Sequence, residues 1–132
     1  MIFVDTSAWV EYLRDTGSWA CEQLDGHLDD DLAISDMVRL EVLAGARDDH
    51  HLQELRRLLA RATVLPTTPL DHDHAASTYR SCRRHGRTVR ALSDCLIAAV
   101  ASRHGVPVLH ADVDFDALAE ITGLPVIVDP TR

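Results

Sequence analysis

The chain has 132 residues, 46% of them apolar, and a net charge of −8. That size suits one domain, residues 1–132, with a single core; no apolar run is long enough to span a bilayer and no signal peptide leads the chain, so a soluble, cytoplasmic protein without membrane contact is expected. Cys21, Cys82 and Cys95 form no C-x-x-C pair, which argues against a disulfide framework or a thiolate zinc site, and the acidic balance excludes a body that is basic throughout.

"MIFV" is an apolar run ending at Asp5, with Thr6 and Ser7 as candidate caps for a helix carrying Trp9, Val10 and Leu13 at helical spacing. Trp9, Tyr12 and Leu13 are either core residues or the lining of a partner groove. A second helix is predicted over 17–28, a strand over "LAIS" (32–35), and a helix capped by Asp36 through "MVRLEVLAGA" to Gly45. A polar helix follows to Arg61, then a strand over "ATVLP" closed by Pro66 and Pro69, and a polar helix over 71–85 stopped by Gly86. "ALSDCLIAAVA" (91–101) reads as a buried helix ended by Gly105, with Ser93 an adequate cap; "VPVLH" as a strand; "FDALAEITG" as a helix; "LPVIV" as a last strand. Continuous apolar strands alternating with helices give an α/β sandwich around a mostly parallel sheet. Ligands in such sheets bind beyond the carboxyl ends of the strands.

That rule makes the acids informative. Asp5 ends the first strand, Asp112 follows "VPVLH" with Asp114 and Asp116 close behind, and Asp94 stands in the first turn of a helix that starts on the same edge. An aspartate near a helix start gains only about 0.3–1 kcal/mol from the dipole, which is reason enough for Asp36, Asp71 and Asp73 to be there as caps. The convergent set is different, because two carboxylates about 4 Å apart repel by something like 4 kcal/mol at an effective dielectric near 20. A divalent cation offsets that repulsion, and carboxylates without thiolate or paired histidine suit Mg²⁺ or Mn²⁺ better than zinc. Such ions commonly serve phosphoryl-oxygen chemistry. Glu41, which interrupts the apolar pattern of its helix, is the candidate fourth acid, with a solvated helix face as the alternative. The "DHDH" (71–74) and "HH" (50–51) pairs are too closely spaced on a helix to share an ion, and His110 fits strand-end packing better than catalysis.

"FVDTSAWVEYL", "ISDMVRLEVLAGA" and "ALSDCLIAAVASRHGVPVLHADVDFDALAEITGL" together resemble a PIN-domain protein of the VapC type, the toxin of a bacterial toxin–antitoxin pair. The likeness runs from first strand to last and is loosest over 46–70. The resemblance implies a three-layer α/β/α sandwich and a Mg²⁺-dependent endoribonuclease (Mn²⁺ possible in its place). It further implies inhibition by a cognate VapB-type antitoxin, a homodimer within the toxin–antitoxin complex, and tRNA or another structured RNA as substrate. Matched onto the family's motifs, Asp5, Glu41, Asp94 and Asp112 are the acidic quartet, with Asp114 a further or alternative metal ligand. Many relatives carry threonine or asparagine where His110 and Asp112 stand; Asp112, nearer the strand end, is the preferred ligand. Thr6 supports the site through its hydroxyl or serves as a simple cap.

All thirteen basic side chains are arginine, and five of them, Arg80, Arg83, Arg84, Arg87 and Arg90, fall within residues 80–90. The spacing of the first four puts them on one helix face and Arg90 leads toward Asp94; all five are candidates to bind RNA phosphates and counter the acidic rim, with a solvated surface as the alternative. The absence of lysine argues against receiver-like phosphoacceptor domains and haloacid-dehalogenase-type phosphatases, which also place an aspartate after the first strand. A catalytically inactive RNA- or protein-binding module on the same fold is the remaining alternative.

Overall fold

The computed structural model describes residues 1–131. In chain order the elements are β1 (Ile2–Val4), α1 (Thr6–Leu13), α2 (Trp19–His27), β2 (Leu32–Ser35), α3 (Asp36–Ala44) and α4 (Asp49–Leu59). Then come β3 (Ala62–Leu65), α5 (Pro69–Arg84), α6 (Leu92–Arg103), β4 (Val108–Leu109) and α7 (Val113–Thr122). The strands form one sheet in the order β3-β2-β1-β4, each neighbouring pair parallel. Helices α1 to α4 pack on one another, as do α5, α6 and α7, so a helical layer covers each face of the sheet; α3 and α6 also touch. This is the α/β/α sandwich expected from the alternation of apolar runs and helices.

The strand order carries the functional consequence. From β1 the chain winds outward through β2 to β3, then returns past β1 to lay down β4 on its other side. The reversal lies between β1 and β4, and crevices for ligands open at the carboxyl ends of strands at such a point. Phe3 and Val4 in β1, Ile34 in β2 and Leu109 in β4 are buried and floor this region. α6 is apolar around its whole circumference for a simple reason: Cys95 to Ala101 are all buried, between the sheet and the neighbouring helices α5 and α7.

Several boundaries differ from the sequence reading. "LPVIV" is no strand: Gly123 turns the chain in the left-handed region and a single bridge pairs Val126 with Val108. Pro125 lends its carbonyl to Val108 N–H but has no N–H to return, which cuts the ladder short. α5 begins at Pro69 rather than 71, since proline suits the first helical position and Thr68 N–H donates to Asp71 Oδ2 at 2.8 Å. Asp73 lies inside α5 and caps nothing, and the cap of α3 is Ser35, with Asp36 its first helical residue. Ser93 does not cap α6; the cap position is Ala91. Trp9 is fully buried and so belongs to the core.

Candidate metal centre

β1 delivers Asp5 to the sheet edge, where its N–H donates to Leu109 O of β4 at 3.0 Å. Asp5 then caps α1: its Oδ2 accepts the Ser7 N–H at 3.0 Å and the Ser7 hydroxyl at 2.5 Å. The same hydroxyl oxygen accepts the N–H of Ala111, just past β4, at 2.9 Å. Ser7 thus stitches the ends of the two switch-point strands together. Asp5 Oδ1 is buried without a hydrogen-bond partner.

Thr6 donates its hydroxyl to Glu41 Oε1 on α3 at 2.9 Å, across 35 residues of sequence. Thr6 is not the cap of α1, since Asp5 holds that position. Asp94 stands in the first turn of α6, and Asp112 caps α7 by accepting the Asp114 N–H at 2.9 Å. Carboxylate oxygens of Asp94, Asp112 and Asp114 all lie within 4.8 Å of one another. Asp5, Glu41, Asp94, Asp112 and Asp114 line a single cleft together with Thr6, Ser7, Arg90 and Ser93. The acids scattered through the sequence therefore meet, and Asp112 and Asp114 both belong to the cluster.

The charges at this rim oppose one another. Burial pushes the Asp5 carboxyl up to about 6, against the pull of its hydrogen bonds from Ser7, with Glu41 adding repulsion. Asp94 is pushed to about 7, by burial first and then by the charges of Asp5, Asp112, Glu41 and Asp114. A buried carboxylate oxygen with no donor, beside several further carboxylates, is the environment that a hard divalent ion satisfies. Among the described residues, Asp94, Asp112 and Asp114 are the one group of acids, histidines or cysteines close enough to share an ion. Three of the paired histidines have partners of their own: His50 Nε2 meets Glu54 at 2.8 Å, His51 Nδ1 accepts the Arg47 N–H, and His72 Nδ1 meets the Thr68 carbonyl. His110 is buried and stacked on Phe115 at 5.3 Å.

The four arginines expected on one helix face are divided. Arg80, Arg83 and Arg84 are exposed and line one shallow groove on α5, with Arg83 over the Tyr79 ring. Arg87 lies beyond the helix end and pairs with Glu120 of α7, because Gly86 has already turned the chain. Arg90 reaches into the acidic cleft, bonding Asp112 and Asp114. Ser7 and Ser93 line the cleft although the sequence marks them only as possible caps; a serine two residues after the strand-end aspartate was the available signal for Ser7.

Comparison with known proteins agrees with this architecture. The PIN-domain family profile matches residues 2–121. Ribonuclease VapC11 of Mycobacterium tuberculosis is 44% identical over 128 residues, covering 94% of this chain and 96% of that protein. Among solved structures, VapBC-1 from nontypeable Haemophilus influenzae superposes with a TM-score of 0.77 at 22% identity, over 100% of both chains. A toxin–antitoxin complex from Klebsiella pneumoniae gives a TM-score of 0.73 at 20% identity, over 97% of each chain.

Proposed function

Because the chain belongs to the PIN-domain family and stands among its VapC ribonucleases, we propose that it is the toxin of a toxin–antitoxin pair. Its activity on this reading is metal-dependent hydrolysis of RNA phosphodiester bonds, leaving 5′-phosphate and 3′-hydroxyl ends. The observation that carries the reading is the five-acid cleft at the β1/β4 switch point.

Asp5, Glu41, Asp94 and Asp112, with Asp114 beside them, are the proposed holders of the ion, and Mg²⁺ is the proposed ion, with Mn²⁺ able to replace it. When bound, the ion supplies a water of lowered pKa and neutralises charge on the scissile phosphate. The chain's own residues do the positioning. Ser7 fixes Asp5 through Oδ2 and leaves Oδ1 uncommitted. Thr6 holds Glu41 at the far wall of the cleft, and buried α6 sets Asp94 on a rigid element. Arg80, Arg83 and Arg84 are the proposed phosphate contacts for the RNA flanking the cut.

The proposed partner is a VapB-type antitoxin, within an assembly that holds two copies of this chain. Val10, Leu13, Val42 and Leu55 line a groove among α1, α3 and α4 with an apolar side, and one residue of that groove, Glu41, is shared with the acidic cleft. A segment seated there reaches the site it inhibits.

Incubation of the purified protein with a mixed RNA pool tests the activity. Cleavage in Mg²⁺ that stops with EDTA and is missing from Asp94→Asn supports the reading, and sequencing the new RNA ends identifies target and cut. Full cleavage by Asp94→Asn, or in EDTA, refutes it. Arg83→Glu with Arg84→Glu should weaken RNA binding and lower the salt slope by about two phosphate contacts; an unchanged slope removes these residues from the interface.

A further inference from the structure

The acidic cleft has a basic side chain inside it, and the chain takes some trouble to put it there. α5 ends at Arg84, Gly86 reverses the chain with φ +68°, and the link to α6 is pinned by buried Val89 and by the Arg87 N–H on the Cys82 carbonyl at 2.9 Å. The next residue, Arg90, is thereby fixed at the rim. Its backbone N–H and its Nε both donate to Asp114 Oδ2, at 3.0 and 3.1 Å, and its Nη2 donates to Asp112 Oδ1 at 2.9 Å. Asp112 and Asp114 are two of the three carboxylates that come within 4.8 Å of one another. None of these arginine contacts reaches Asp94.

On the metal-dependent reading above, we propose that Arg90 is a built-in competitor of the cation: it neutralises Asp112 and Asp114 while the cleft holds no ion and must release them when one is bound there. Asp112 Oδ1 already accepts both the Asp114 N–H and Arg90 Nη2, so an ion that takes this oxygen displaces the guanidinium. Electrostatics point the same way, because a divalent ion in contact with the shared carboxylates repels a positive charge that also touches them. Release is easily reached: the Arg90 side chain is 70% exposed, and Asp114 keeps the backbone N–H of Arg90 after the side chain departs. The latch divides the cluster. Asp94, the third carboxylate of the group, takes no arginine contact and is the part open to an ion, and Asp112 and Asp114 form the part that opens only in exchange for Arg90.

The experiment is a Mg²⁺ titration of the full-length protein followed by NMR, reading the Arg90 Nε–Hε signal and the backbone amides around Asp94, with Mn²⁺ binding measured by EPR for wild type, Arg90→Gln and Arg90→Lys. In the absence of metal, the Hε signal should show the shift and slow solvent exchange of a carboxylate-bound guanidinium, and it should move to the position of a free arginine as Mg²⁺ saturates. Arg90→Gln should bind Mn²⁺ about tenfold more tightly, the effect of removing one nearby positive charge at the protein surface, with Arg90→Lys in between. An Hε signal that stays in place while the amides around Asp94 respond to Mg²⁺ overturns the latch and leaves the metal reading standing. If no signal responds and no variant binds Mn²⁺, both fall together. Should Arg90→Gln prove unfolded by circular dichroism, the wild-type titration decides alone.

Discussion

Asp71 and Asp94 occupy the same local position, the first turn of a long helix, and their surroundings drive their carboxyls in opposite directions. On α5, Asp71 accepts Nε and Nη2 of Arg103 at 2.8 and 3.0 Å and the Thr68 N–H at 2.8 Å, and these contacts hold it down at about 2. On α6, Asp94 is half-buried among four other acids and is pushed up to about 7. The first is a structural carboxylate, closed by a partner from a neighbouring helix. The second faces carboxylates where the first faces a guanidinium. Equal local sequence signals therefore carry no functional information until the partner is known.

The largest expected effect separates the two by activity. Asp94→Asn should lower RNA cleavage more than about 100-fold, beyond the usual loss for residues that merely stand behind metal ligands. It should not lower the melting temperature of the metal-free protein, since it removes repulsion. Asp71→Asn should do the reverse: it weakens the pairing with Arg103 and costs about 2 kcal/mol, discounted because Arg103 is partly exposed, while kcat stays at the wild-type value. Thermal melts and single-turnover cleavage on the same two preparations check both statements; loss of cleavage in a well-folded Asp71→Asn protein would erase the distinction.

Acidity sharpens the contrast, because the signs differ. Asp5 and Asp94 titrate higher in the folded chain, at about 6 and about 7, than the ordinary 3.8. Protonation favours folding at both, so their stabilising contribution is present below that ordinary value and is lost as the pH rises through 6 to 7. Asp71 titrates lower, at about 2, so its contribution is present above 3.8 and is lost as the pH falls toward 2. In EDTA the melting temperature should therefore climb as the pH drops from 7 to about 5 and decline below about 4. Asp94→Asn should flatten the upper limb and Asp71→Asn the lower one. A profile whose upper limb is identical in wild type and Asp94→Asn contradicts the assignment.

The smallest effect tests the wall of the cleft. Thr6→Val removes the hydroxyl that holds Glu41 and should reduce cleavage by about tenfold, with a stability change within about 1 kcal/mol. No change in cleavage would reduce Thr6 to a bystander.

Much of this molecule was readable along the chain. The apolar runs at 2–4 and 32–35 and the uniformly apolar stretch after Asp94 announce buried strands and a buried helix. Acids at their ends follow from the rule for parallel sheets. Periodicity failed where the deciding contact was distant or chemical. It drew one face of four arginines, but Gly86 broke that face and sent Arg87 to Glu120. It extended "LPVIV" into a strand because residue preference does not count the hydrogen bonds that Pro125 cannot return.

By itself the sequence determined the order of the elements from β1 to α7, the burial of α6, and which acids stand at strand ends and helix starts. These follow from apolar spacing and turn residues within a few positions of each other. The tertiary structure decided which carboxylate meets an arginine and which meets other carboxylates. Arg103 reaches Asp71 across 32 residues, Arg90 reaches Asp114 across 24, and Ser7 reaches Ala111 across 104. Charge interactions act through space and fall with distance rather than with sequence separation, so the character of each acid was fixed only when the sheet closed.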